Sequence, residues 1–267
     1  MTMLRTDHLT QRFGGLIAVN DVSFSIGEHE IVSLIGPNGA GKTTLFNVIA
    51  GTYVPASGRV EFRGDDITGL SAAAVANKGI VRTFQITSLF PGITVLESLV
   101  IARHRMLKSS LFQVLLNTPS VRREEKENRE RCVEILGLLG LDKKQDKLSG
   151  NLPYGEQRLL EIGIALAAEP QLLLLDEPAA GLNETETREL MVLIKRLRDA
   201  GITIFLVEHD MSLVMGISDR IIVLANGIRI AEGLPAEIRA NPEVIRAYLG
   251  NDILVPCAQE EGKENDA

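Results

Sequence analysis

The octapeptide GPNGAGKT, Gly36 to Thr43, has the residue types that hold a triphosphate. It fits G-x-x-x-x-G-K-[ST], a loop whose consecutive main-chain N–H groups turn inward around phosphate oxygens. Gly36, Gly39 and Gly41 suit that loop because a Cβ would intrude on the phosphates. Pro37, Asn38 and Ala40 complete its main chain, Lys42 would reach the β- and γ-phosphates, and the Thr43 hydroxyl would take one position on Mg²⁺, with Thr44 following in the nucleotide-binding set. A second segment, LLLLDEP from Leu172 to Pro178, is an apolar strand ending in two adjacent carboxylates. Neighbouring side chains on a strand diverge, so the two acids take different work. Asp176 would support the metal, and Glu177 would orient or deprotonate the attacking water. Together the segments specify a magnesium nucleoside triphosphate held for attack by water. A third apolar run, Ile202 to Val207, ends in Glu208-His209-Asp210. His209 there either reaches the γ-phosphate from the same sheet edge or serves the structure.

The elements around these residues have to bring them together. The phosphate loop follows the apolar run Ile31 to Ile35 and precedes the helix-like Lys42 to Ala50, whose N-terminus adds donors and a positive dipole end. Leu4 to Thr10, Val22 to Ile26 and Arg59 to Phe62 read as strands between Gly and Asn turns, a sheet-rich start. From about 94 to 168 the pattern is helical, with a charged run at Arg122 to Arg131 that reads as a solvated face. Strands then alternate with helices: Leu172 to Leu175, a helix over Glu184 to Arg198, Ile202 to Val207, a helix after Asp210, and Arg220 to Leu224. That alternation predicts an α/β fold with a parallel sheet and crossover helices. Asn226-Gly227 predicts a hairpin into Ile228 to Ala231.

Composition narrows the class. A chain of 267 residues, 45% apolar and 24% charged, can bury a sizeable core. No apolar run approaches the roughly 20 residues a membrane helix needs, because Glu169 and Pro170 interrupt the longest candidate. The first residues hold no apolar signal core, so a cytoplasmic location is expected, with membrane contact only through a partner. Cys132 and Cys257 lie far apart without a C-x-x-C or Cys/His spacing, so neither a disulfide framework nor a zinc site is suggested. The net charge of −7 argues against a general nucleic-acid grip. Residues 251–267 read as an acidic, flexible tail after a domain spanning 1–250.

The stretch LPYGEQRLLEIGIALAAEPQLLLLDEP adds an L-x-x-G-[EQ]-Q element before the acidic strand, and this resembles the signature of ATP-binding cassette proteins. The cassette order is complete: Phe13 lies where an aromatic stacks on adenine, and Gln85 in VRTFQ matches the glutamine loop. Leu152, Pro153, Tyr154, Gly155 and Glu156 match the signature. Ala180, Gly181, Leu182 and Asn183 match the interface loop, and His209 matches the switch histidine. The resemblance implies a phosphate-loop ATPase core with an N-terminal antiparallel β subdomain and an inserted helical subdomain over about 94–168. It also implies catalytic roles for Glu177, His209, Lys42 and Gln85, metal support from Thr43, Gln85 and Asp176, and ATP and Mg²⁺ as cofactors. FGGLIAVNDVSF, VEHDMSLVMGISDRIIVL and NPEVIRAYLG look like the G-type ATPases of bacterial branched-chain amino acid importers, over about residues 3 to 250. The long insertion near Met106 to Glu124 is a further subfamily clue. The implied partners are an F-type paralogue or a second copy in a head-to-tail dimer, two permeases and, indirectly, a periplasmic solute-binding protein. The implied place is the cytoplasmic face of the inner membrane.

Two positions depart from the cassette pattern. Pro153 replaces the usual signature serine, losing a hydroxyl and an N–H, although proline suits the first turn of a helix. Asn183 stands where many cassettes carry Asp. Leu89, Phe90 and Pro91 are either a docking groove for a permease or core at the subdomain junction. Alternative functions are import of urea or amides, export of lipid or lipopolysaccharide, a cytosolic cassette ATPase acting away from membranes, and a small-molecule kinase.

Overall fold

The computed structural model describes residues 1–83, 89–106 and 118–249. Gln85, most of the insertion and the acidic tail with Cys257 lie outside the described residues. Two sheets form the frame. β1 (Thr2–Phe13), β2 (Leu16–Gly27), β4 (Ser57–Phe62) and β5 (Asp65–Asp66) make an antiparallel sheet in the order β2-β1-β4-β5. β3 (Ile31–Ile35), β6 (Ile80–Arg82), β7 (Leu172–Asp176), β8 (Thr203–Val207), β9 (Arg220–Ala225) and β10 (Ile228–Gly233) make the second, ordered β10-β9-β3-β8-β7-β6. It is parallel except for β10, which returns along β9. The Asn226-Gly227 turn between them takes positive φ at both residues, +51° and +79°, as a two-residue hairpin of this twist requires.

The continuous apolar runs follow from burial on both faces of this sheet. Val32, Leu34, Leu172, Leu174, Phe205 and Val207 face one core with the antiparallel sheet and the helix Lys42–Ile49, where Phe205 packs against Phe24 and Phe46. Their neighbours Ile31, Leu173, Leu175, Ile204 and Leu206 face a second core. That core contains Leu96 and Leu99 of helix Val95–Arg103, Cys132 and Leu136 of helix Pro119–Leu138, and Leu160 of helix Tyr154–Leu166. The helical block is therefore fastened to the sheet by one shared interior. Arg103, itself buried, adds polar ties to Asn128, the Ala167 carbonyl and Glu169. The charged run is solvated as expected, with pairs such as Arg123–Glu127. A third, smaller core joins Ile35, Ile221 and Val223 to Val214, Ile238 and Val244. Among the described residues no helix is long and apolar enough to cross a membrane.

Candidate functional site

Parallel strands deliver their following residues to one sheet edge. Asp176 pairs in register with Val207, and Val207 with Leu34, so the acidic strand, the His209 strand and the strand feeding the phosphate loop end side by side. Phe13, Leu16, Asn38, Gly39, Ala40, Gly41, Lys42, Thr43, Thr44 and Glu177 then line a single open cleft of about 520 Å³. The Asn226-Gly227 turn forms part of its wall. Phe13 is half exposed at the tip of β1 and meets Tyr53 edge-on at 5.3 Å.

The loop's shape is enforced by close main-chain approaches. A Cβ on Gly36 would lie 2.0 Å from the Leu224 carbonyl oxygen, and one on Gly41 would lie 2.2 Å from that of Ala18. A Cβ on Gly39 meets nothing within 4 Å. The Lys42 ammonium lies inside the loop, donating to the carbonyls of Gly36 (2.7 Å) and Pro37 (3.0 Å). Burial pushes its pKa below the usual value, opposed by the Glu177 and Asp176 carboxylates.

The two acids part as a strand end demands. Asp176 has a fully buried side chain whose Oδ2 takes a 2.6 Å bond from Arg82, which also donates to Asn47 Oδ1 at 2.5 Å. Its Oδ1 is buried with no hydrogen-bond partner among the described residues. Glu177 sits at φ +47°, a left-handed conformation uncommon for a side-chain-bearing residue, and is half exposed to the cleft. His209 Nδ1 stands 4.0 Å from Glu177 Oε1, so these two expected residues are brought together. Behind them Glu208, with no side-chain exposure, accepts N–H bonds from Ala179, His209 and Asp210.

The signature lies elsewhere on the surface. Pro153 is extended, φ −54° and ψ 153°, and occupies the N-cap of helix Tyr154–Leu166 instead of its first turn. No side chain caps that helix end. Tyr154 donates to the Ala180 carbonyl at 3.0 Å, and its ring fills the space a side chain on Gly181 would need. Glu156 pairs with Lys144. Leu152 is buried and Gly155 packs against Glu186. Asn183 caps helix Glu184–Asp199, accepting from Thr185 (2.9 Å) and Glu186 (3.0 Å), while Glu186 accepts from the Asn183 N–H. Its amide oxygen thus replaces an Asp as cap with no need of charge.

Several participants were not foreseen from the residues. Arg82 and Asn47 come from separate segments, and nothing local marks them. Tyr248, on helix Pro242–Leu249, sets its hydroxyl against the Gly36 main chain, and burial pushes its pKa above the usual value. Glu208 carried one signal, an acid directly after a fully apolar strand.

An α/β sheet with a phosphate loop, an acidic strand end and a histidine strand end on one edge defines a phosphate-loop ATPase built on a cassette. The chain belongs to the ABC transporter family: the family model "ABC transporter" matches residues 19–180, and "Branched-chain amino acid ATP-binding cassette transporter" matches residues 229–253. The high-affinity branched-chain amino acid transport ATP-binding protein LivG of Salmonella typhimurium strain LT2 is 51% identical over 93% of this chain and 98% of its own. The ADP conformation of MJ1267, an ATP-binding cassette of an ABC transporter, is 35% identical, covers 94% of this chain and 99% of that one, and superposes with a TM-score of 0.83. The dimeric structure of MJ0796, a bacterial ABC transporter cassette, is 26% identical with a TM-score of 0.72, covering 87% and 99%. This chain is accordingly a nucleotide-binding, ATP-hydrolysing transporter subunit.

Proposed function

We propose that the chain energises import of branched-chain amino acids from the cytoplasmic face of the membrane, as one half of a head-to-tail ATPase pair. The substrate rests on the likeness to LivG and on the C-terminal family match. In this reading residues 1–250 form the ATPase domain, with the helical subdomain at about 94–168. Gly36 to Thr44 cradle the triphosphate and Phe13 stacks on adenine. Thr43, Gln85 and Asp176 hold Mg²⁺, Glu177 activates water, and His209 contacts the γ-phosphate.

The observation that carries the reading is the meeting of Lys42, Asp176, Glu177 and His209 at one sheet edge. The residues present fit the metal. Asp176 Oδ1 is a buried oxygen donor without a partner among the described residues. Such an oxygen suits Mg²⁺, which takes one or two protein oxygens and completes its shell with phosphates and water. When bound, the ion neutralises charge developing on the phosphates. Glu177, aimed into the cleft, accepts the proton of the attacking water, while Lys42 holds the phosphate oxygens.

Across the pair, the uncapped N-terminus of helix Tyr154–Leu166 presents main-chain N–H groups to the partner's nucleotide. Donors from both subunits then surround each triphosphate, so ATP favours the closed pair and hydrolysis releases it. The partner is the F-type paralogue or a second copy. For the permeases the supporting feature is an apolar groove of about 190 Å³ lined by Leu89, Phe90, Ile93, Ile101 and Ile164, in which Phe90 is 67% exposed. Pro91, beside it, is also exposed, whereas Leu89 packs against the helical core, so exposure supports docking at Phe90 and Pro91.

Enzymology and assembly both test the reading. Glu177→Gln should bind ATP normally and lose about 10²–10⁴-fold in turnover, whereas Lys42→Ala should lose ATP affinity itself. Affinity purification from membranes should recover two permeases and a second ATPase, with uptake of leucine, isoleucine or valine dependent on the chain. Recovery with ribosomes, or uptake of urea or amides instead, would replace the proposal.

A further inference from the structure

The Glu208 carboxylate is buried, belongs to no proposed catalytic role, and yet joins two functional loops. Its Oε1 accepts from the Ala179 N–H at 2.8 Å, and its Oε2 accepts from the His209 N–H at 3.0 Å and the Asp210 N–H at 3.4 Å. Ala179 lies in the turn between Glu177 and the interface loop, where the Ala180 N–H donates to the Glu177 carbonyl at 3.1 Å. On the other side Asp210 caps helix Met211–Ile217 through Ser212 (2.8 Å) and Leu213 (3.2 Å), anchoring the far end of the His209 turn. The His209 main chain is therefore held from both sides while its ring stays 68% exposed.

We propose that Glu208 is the positioning residue that makes the His209 turn and the Glu177–Asn183 loop move as one body. Contact between His209 and the γ-phosphate is thereby passed through Ala179 to the loop facing the partner subunit. The inference rests on the proposed roles of Glu177 and His209. The chemistry leaves no equivalent side chain. Glutamine would turn an NH₂ toward at least one N–H that needs an acceptor. Aspartate keeps both acceptors but is one methylene too short to span the two loops.

The test measures steady-state ATP turnover and ATP affinity of the full chain in its assembled complex. Glu208→Gln and Glu208→Asp should each lower kcat at least tenfold and leave ATP affinity within twofold, since Gly36 to Thr43 are untouched. Adding Glu208→Gln to His209→Ala should cost no more than a further twofold, because the lost contact acts through the histidine. Wild-type kcat in both Glu208 variants, or losses that multiply in the double variant, would overturn the inference. In the unsubstituted chain, amide exchange offers a readout that needs no variant to fold: the Ala179 and His209 N–H groups, held by one carboxylate, should show a common protection factor once each rate is divided by its intrinsic value. Protection factors differing more than tenfold would also overturn it. Glu177→Gln and His209→Ala serve as controls: if both turn over at the wild-type rate, the site reading fails, and if only the Glu208 variants do, this inference alone fails.

Discussion

Alanine at Gly41 and at Gly39 separates two reasons for glycine in the phosphate loop. Both residues sit at positive φ, +99° and +78°, a region that costs other residues about 1–2 kcal/mol. At Gly41 the new Cβ would also lie 2.2 Å from the Ala18 carbonyl oxygen, so the loop and β2 must part by about 1 Å to restore ordinary contact. Such overpacking costs about 1–3 kcal/mol more. At Gly39 the Cβ meets nothing, although the residue lines the cleft. Taking the middle of that range, about 2 kcal/mol, Gly41→Ala should melt roughly 4–8 °C below Gly39→Ala. Gly39→Ala should instead weaken ATP binding at least tenfold, because its methyl occupies space meant for phosphate. Thermal unfolding of the nucleotide-free chain and titration with a fluorescent ATP analogue measure the two effects. Equal melting temperatures, or wild-type ATP affinity in Gly39→Ala, would refute the division of labour.

Asn183→Ala removes both cap bonds of helix Glu184–Asp199 and should cost about 1 kcal/mol, or roughly 2–4 °C in Tm; an unchanged Tm would deny the cap its role. The His8 pKa is raised, chiefly by its 2.5 Å side-chain hydrogen bond to Asp21 and then by the charges of Asp21 and Asp7. With the folded value raised, the pair's contribution is complete below the unfolded pKa and is lost as pH rises through the folded one. An NMR titration should therefore place His8 above its ordinary 6.5, and Asp21→Asn should bring it back; coincident curves would contradict the contact. In the proposed heteropair, Pro153→Ser restores a hydroxyl at the signature and should raise turnover at the partner's site and not at this one. An unchanged rate would show that Pro153 does not limit that site.

The sequence made the central strands Ile31–Ile35, Leu172–Asp176 and Thr203–Val207 legible because each has two buried faces. Leu172 to Leu175 alternate between two cores, so no polar residue interrupts the run. Glycine and lysine spacing likewise announced the phosphate loop, since its conformation depends on local φ values that few residues adopt. Pro153 shows where local reading stops: it suits a first helical turn, yet its ψ of 153° makes it the cap. Arg82 meets Asp176 across 94 positions and Asn47 across 35, and no short pattern encodes such meetings.

What the sequence alone determined is the chemistry at each strand end: a loop for phosphate, two divergent acids and a histidine. These follow from side-chain types and from backbone constraints a few residues long. Only the tertiary structure decided that Glu177 and His209 stand 4.0 Å apart, that Asp176 shares its buried carboxylate with Arg82, and that Glu208 ties two loops together. Parallel register brings Glu177 and His209 to one edge, while burial decides the partners of Asp176 and Glu208, because a carboxylate without water takes whatever donors the packed neighbours offer.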